Sequence, residues 1–122
     1  MGIFTPNNGY MRETFGGNQD IFNADGKRVG YSQKRLDGGM DFFDTAGRRL
    51  GCDRPLIGES REFLDTSGNV VGYRIPWGGG LGYYDLKRRR IGHSTGGFGL
   101  TEFYRNFDYD GGEDDFIHWM FG

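Results

Sequence analysis

Cysteine is almost missing from this chain, lysine is scarce, and aliphatic residues are thin. The 122 residues hold a single cysteine, Cys52, which excludes an internal disulfide framework and suits a reducing compartment. Hydrophobic residues make up only 35% of the chain, so an extended aliphatic core is excluded too. No apolar run approaches the roughly 20 residues of a membrane-spanning helix. The N-terminal stretch MGIFTPNNGYMRET has no basic segment leading into an apolar one. A cytoplasmic location and no membrane partner are the resulting expectations. Met1-Gly2 opens like a myristoylation signal, but Phe4 and Pro6 depart from it.

What the chain has instead is glycine, aromatics and arginine. There are 24 glycines, and aromatics reach 16%, so burial must come from rings packed beside bare backbone. Of the 15 basic residues 12 are arginine, the type suited to stacking and forked hydrogen bonds. The net charge of −2 is uneven: Asp108, Asp110, Glu113, Asp114 and Asp115 follow Arg105 with no basic residue among them, leaving a weakly basic remainder. That balance does not point to nucleic acid.

The glycines keep time. DIFNADGKRVGY (20–31), DFFDTAGRRLGC (41–52), EFLDTSGNVVGY (62–73) and GYYDLKRRRIGH (82–93) repeat with their closing glycines at 30, 51, 72 and 92. Asn23, Asp44 and Asp65 stand three residues before Gly26, Gly47 and Gly68, which predicts a type I turn closed by a left-handed residue and a bulge. Asp85 is followed at that offset by Arg88, so the fourth turn should be strained or differently closed. Counting back from the turn pairs Phe43 with Arg49, Phe42 with Leu50 and Asp41 with Gly51. On that register one face carries Ile21 with Val29, Phe42 with Leu50, Phe63 with Val71 and Tyr83 with Ile91, joined by Tyr31, Cys52, Tyr73 and His93 as a core face. The other face carries Phe22 with Arg28, Phe43 with Arg49 and Tyr84 with Arg90, beside the bare Gly30, Gly51, Gly72 and Gly92.

The expected architecture is therefore all-β: tandem hairpins forming an antiparallel meander or a short β-solenoid within a single domain, residues 1–122. Hairpin repeats occupy 20–40, 41–61, 62–81 and 82–101, with a degenerate hairpin at 1–19. EFYR (102–105) starts a partial repeat that lacks its second strand, and 102–122 also carries a short capping helix over Glu113 to Phe121. Phe116, Ile117, Met120 and Phe121 would give that helix an apolar side against the end of the array. Each glycine-rich connector holds a bulky apolar residue, Leu36, Leu56 or Ile57, Trp77 and Phe98, expected to tuck under the neighbouring hairpin as a plug.

FLDTSGNVVGY (63–73) resembles the cell-wall-binding repeat of choline and glucan type. YYD (83–85) and FFDTAGRRL (42–50) resemble the YD repeat of shell-forming bacterial toxins. The chain as a whole is similar to short bacterial proteins built of YYDxxGxxxGxS hairpins. These resemblances cover about residues 20–105 and imply a hairpin architecture rather than a chemistry.

The candidate site is the outward face with Phe22, Arg28, Phe43, Arg49, Tyr84 and Arg90, on which a ladder of cation–π pairs would receive a glycan, an anionic ligand or a protein. The alternative is a structural protein that self-associates into a homo-oligomer through sheet edges. Lys87 to Arg90 read as a solvated basic turn. Asp108, Asp110 and Asp114 echo a calcium loop but lack its twelve-residue frame, so an acidic lead-in to the helix is expected instead. His93 and Cys52 occupy packed repeat positions, and His118 lies beside Trp119 without a metal-pair neighbour. No enzyme, no cofactor and no metal are expected.

Overall fold

The turns close as their spacing predicts. In DFFDTAGRR the Asp44 amide donates to the Arg48 carbonyl at 3.0 Å and the Gly47 amide returns to the Asp44 carbonyl at 3.0 Å. The Asp44 carboxylate accepts the Ala46 and Arg48 amides at 3.0 and 2.9 Å, so donors that a turn would leave to water are taken by its own first residue. Asn23, Asp65 and Asp85 do the same. Gly47 has φ +86° and Arg88 φ +67°: the fourth turn has the same closure with a side chain forced into the left-handed region.

The computed structural model describes residues 7–97, 100–105 and 120–121. The hairpins are β2 (Gln19–Phe22) with β3 (Arg28–Lys34), β4 (Met40–Asp44) with β5 (Arg49–Pro55), β6 (Arg61–Asp65) with β7 (Val70–Trp77), and β8 (Gly80–Tyr84) with β9 (Arg90–Gly97). Two more strands, β1 (Asn7–Glu13) and β10 (Leu100–Arg105), pair with each other and with the outermost hairpins, closing a ten-strand antiparallel barrel. The ends of the array thus complete one another. Glu102 lies opposite Tyr10 as Asp41 lies opposite Cys52, so EFYR finds its missing second strand in the N-terminal GYMR. The degenerate first hairpin expected at 1–19 is instead half of a fifth unit. Closure gives every strand a hydrogen-bonded neighbour on both sides, and edge-to-edge association has no free strand edge among the described residues.

The register differs from the counted one by a bulge. Phe43 faces Arg49, but Phe42 faces Gly51 and Asp41 faces Cys52, because Leu50 and Gly51 both stand opposite Phe42. The same shift recurs at Ile21/Gly30, Phe63/Gly72 and Tyr83/Gly92. One added residue exchanges the faces of everything beyond it. Gly30, Gly51, Gly72 and Gly92 therefore line the interior, while Tyr31, Cys52, Tyr73 and His93 face outward, reversing the placement expected of both sets.

Inside, Ile21, Phe42, Phe63, Tyr83 and Phe103 form a buried belt, with Val29, Leu50 and Val71 packed against it. Between them stand Met11, Ser32, Asp53, Arg74 and Ser94, each directly opposite one belt residue. The glycines leave a hole that the C-terminal residues fill. Phe121 lies 5.2 Å from the Phe42 ring and 6.0 Å from the Phe63 ring, and Met120 is buried. A Cβ on Gly72 would fall 2.9 Å from the Met120 sulfur and 2.8 Å from the Tyr84 carbonyl oxygen. Most of the capping helix expected over Glu113 to Phe121, including Phe116 and Ile117, lies outside the described residues. Met120 and Phe121, its described part, enter the barrel rather than covering an end of the array.

Candidate functional site: the outer ring pairs and the connector rim

Because closing glycines point in, the residue after each points out and meets a residue of the next hairpin. Tyr10 stacks on Phe22 at 4.7 Å, Tyr31 on Phe43 at 5.0 Å and His93 on Tyr104 at 5.1 Å. Tyr73 faces Tyr84, and Cys52 faces Leu64. Cys52 is thus half-buried on the outer wall rather than in the core. These rings seal the seams between hairpins.

The expected binding residues all lie on this outer face, and Phe22–Arg28, Phe43–Arg49 and Tyr84–Arg90 are register partners as anticipated. The cation–π ladder is not built from those pairs. Arg28 leans over Tyr31 at 5.1 Å and bonds Asp20 at 3.0 Å, Arg90 covers Trp77 at 3.9 Å, and Arg49 pairs with Asp41 at 3.2 Å. A tilt along the strand lets each guanidinium reach a ring or carboxylate that direct opposition would miss. In the basic run, Arg88 covers Tyr73 at 5.0 Å and Arg89 bonds Asp85 at 3.0 Å. Beside Arg28 and Tyr31 an open groove of about 300 Å³ is lined by Asn18, Gln19, Asp20, Ser32 and Gln33.

The connectors run at the barrel end opposite the Asx turns. Arg35 donates its amide to the Gly39 carbonyl and accepts the Gly38 amide, repeating the geometry of the Asp44 turn with Leu36 at the apex. Thr14–Asn18 and Leu56–Ser60 close with the same long bond and put Phe15 and Ile57 at the apex. The apex side chain of such a turn projects away from the sheet. Phe15, Leu36 and Ile57 are consequently 95%, 110% and 95% exposed, with Leu56 and Trp77 partly so. This corrects the expectation that Leu36, Leu56 or Ile57, and Trp77 tuck under neighbouring hairpins; Phe98 lies outside the described residues.

Within this rim sits a charged cluster that the sequence reading missed. Asp53 is 1% exposed; its carboxylate accepts the Met40 amide at 2.8 Å and the Arg61 guanidinium at 3.2 Å. Arg35 donates to the Asp53 carbonyl at 2.7 Å and pairs with Asp37 and Asp41. Burial pushes the Asp53 carboxyl above its usual range, against the pull of the Met40 amide and the nearby Arg61, Arg74 and Arg35. Arg74 stands directly across from Arg61 and from Tyr83, whose hydroxyl meets Ser94 at 3.0 Å and whose pKa burial raises. The signal was present in the two-residue step from each closing glycine to Ser32, Asp53, Arg74 and Ser94, but it points inward only once the bulge is placed.

His93 sits between Tyr104 and Trp77, with burial and then Arg90 holding its pKa below the usual histidine value. No group of three His, Cys, Asp or Glu among the described residues has a metal-holding arrangement. Asp108, Asp110, Asp114 and His118 lie outside those residues. No helix among them is long and apolar enough to cross a membrane. No protein-family model matches the chain, and comparison with curated proteins and with solved structures finds no match either.

Proposed function

We propose that the chain is a non-enzymatic docking module that seats its connector rim on an anionic membrane surface. The observation that carries this reading is the near-complete exposure of Phe15, Leu36 and Ile57 at successive turn apices of one rim. Isolated exposed apolar residues are ordinary; a ring of them on one end of a barrel marks a contact surface. Separate projecting tips suit a fluid interface better than a flat partner. Behind them stand Arg35 and Arg61, each about a quarter exposed. Inserting each tip contributes roughly 1.5–3 kcal/mol, enough for reversible attachment; Arg35 and Arg61 are already paired with Asp37, Asp41 and Asp53, so each adds less than the roughly 1 kcal/mol of an unpaired arginine at an anionic surface. Such docking departs from the expectation of no membrane partner, which rested on the lack of a spanning segment.

Co-sedimentation with phosphatidylserine-containing vesicles tests the reading. Binding that is lost in the Phe15→Ser, Leu36→Ser, Ile57→Ser triple variant is the expected result. No binding, equal binding by the triple variant, or dimerisation through the same tips overturns it.

A second reading follows from the groove beside Arg28 and Tyr31, whose polar lining suits a glycan or another small polar ligand on the aromatic–arginine face. A glycan array probed with the protein and with Arg28→Ala tests it; no hit, or hits insensitive to the substitution, removes it.

A further inference from the structure

We infer that the connector end of the barrel interior holds one oxyanion of phosphate or carboxylate class, gripped by Arg74 beside Arg61. Charge and hydrogen bonding lead there independently. Arg35 is balanced by Asp37 and Asp41, and Arg61 by Asp53. The Arg74 side chain has no ion pair or hydrogen bond to the described residues, although its Nε is buried. It also lies directly across β6–β7 from Arg61, and like charges at opposed positions repel unless an anion offsets them. Asp53 lies near both, and its Oδ1 already accepts the Met40 amide and Arg61, so a single carboxylate stands against two arginines. A guanidinium offers Nε–H and a terminal N–H in a planar fork that matches two oxygens of one oxyanion. The part exposure of the Arg61 side chain gives such a group a way in from the rim. The seat does not require the membrane reading, because a free ion would fill it as well as a lipid headgroup.

The test is side-chain ¹⁵N NMR of the arginine Nε–H groups of the full chain, titrated with inorganic phosphate against chloride at constant ionic strength. The Arg74 resonance is expected to move saturably with phosphate. Its signal disappears in Arg74→Gln, whose melting temperature no longer rises with phosphate, while Arg54→Gln, which removes an outer-wall partner of Glu62, keeps the full rise. Arg74→Lys, which keeps the charge but loses the fork, weakens phosphate binding about tenfold and serves if the glutamine variant does not fold. Phosphatidic acid vesicles in phosphate-free buffer form the second arm. Movement of Arg74 by vesicles alone assigns the seat to a headgroup, and movement by phosphate alone assigns it to a free ion. No movement in either arm, or a phosphate-dependent rise that survives in Arg74→Gln, overturns the inference.

Discussion

The two rims of the barrel use the same turn and present different surfaces: Leu86, 58% exposed, is the large apolar apex of the Asx rim, against Phe15, Leu36 and Ile57 at the connector rim. At one end Asp44 accepts two amides of its own turn, and Thr45 and Ala46 form the apex. At the other end Arg35 occupies the position of Asp44 and Leu36 that of Thr45, with the same backbone bonds. Backbone geometry is set by the left-handed residue that closes the turn; what the rim offers a partner is set by the apex. The first rim spends its polar groups on itself. The second sends its polar groups to Asp53 and the strands beneath, and leaves its apolar tips in water.

The largest expected effect breaks the shared interior rather than either rim. Gly51→Val would place carbon against the Leu64 carbonyl and within 2.6 Å of the Phe121 ring as the Cβ alone is added. Overpacking here should cost about 3 kcal/mol or more, read as a collapse of the melting temperature. At the Asx rim, Asn23→Ala removes the acceptor of two amides. A loss of about 1 kcal/mol in urea unfolding is expected. At the connector rim the triple serine variant should change stability by less than about 0.5 kcal/mol while abolishing vesicle binding. Equal stability losses at the two rims would remove the distinction between them.

Two smaller effects sharpen it. Arg88→Gly relieves the left-handed strain of the fourth Asx turn and should stabilise by about 0.5–1 kcal/mol, less whatever the Arg88 contact with Tyr73 contributes. For His93, the folded-state pKa lies below the ordinary 6.5, so the native state binds fewer protons than the unfolded chain just below that pH. Stability should therefore fall as pH drops below about 6.5, and His93→Tyr, which copies Tyr31 and Tyr73, should flatten that slope. The Asx-rim carboxylates act lower: Asp44 is held below 3.8 by the Arg48 and Ala46 amides, so its contribution is present at neutral pH and is lost on acidification through its folded value.

Much of the hairpin was legible because its determinants are local. Asx at one position and glycine three later specify a turn, and Phe42 and Phe43 take opposite faces by alternation alone. The error began at Leu50, where the bulge adds a residue that no spacing in the sequence marks; Cys52 and Gly51 exchanged faces as a result. Arg28, Arg49 and Arg90 were placed on the right face but given the wrong partners, because a long side chain chooses among neighbours on adjacent strands. Asp53 was missed for the same reason as Gly51.

By itself the sequence determined the repeat, its turns and the antiparallel hairpin, all consequences of contacts between residues a few positions apart. Only the tertiary structure decided that β1 and β10 complete a unit and that the glycines face inward to admit Met120 and Phe121. It also decided that the arginines of three connectors and strands gather around one buried carboxylate. Those outcomes depend on closing a ring of ten strands, which brings together residues whose separation along the chain carries no record of the meeting.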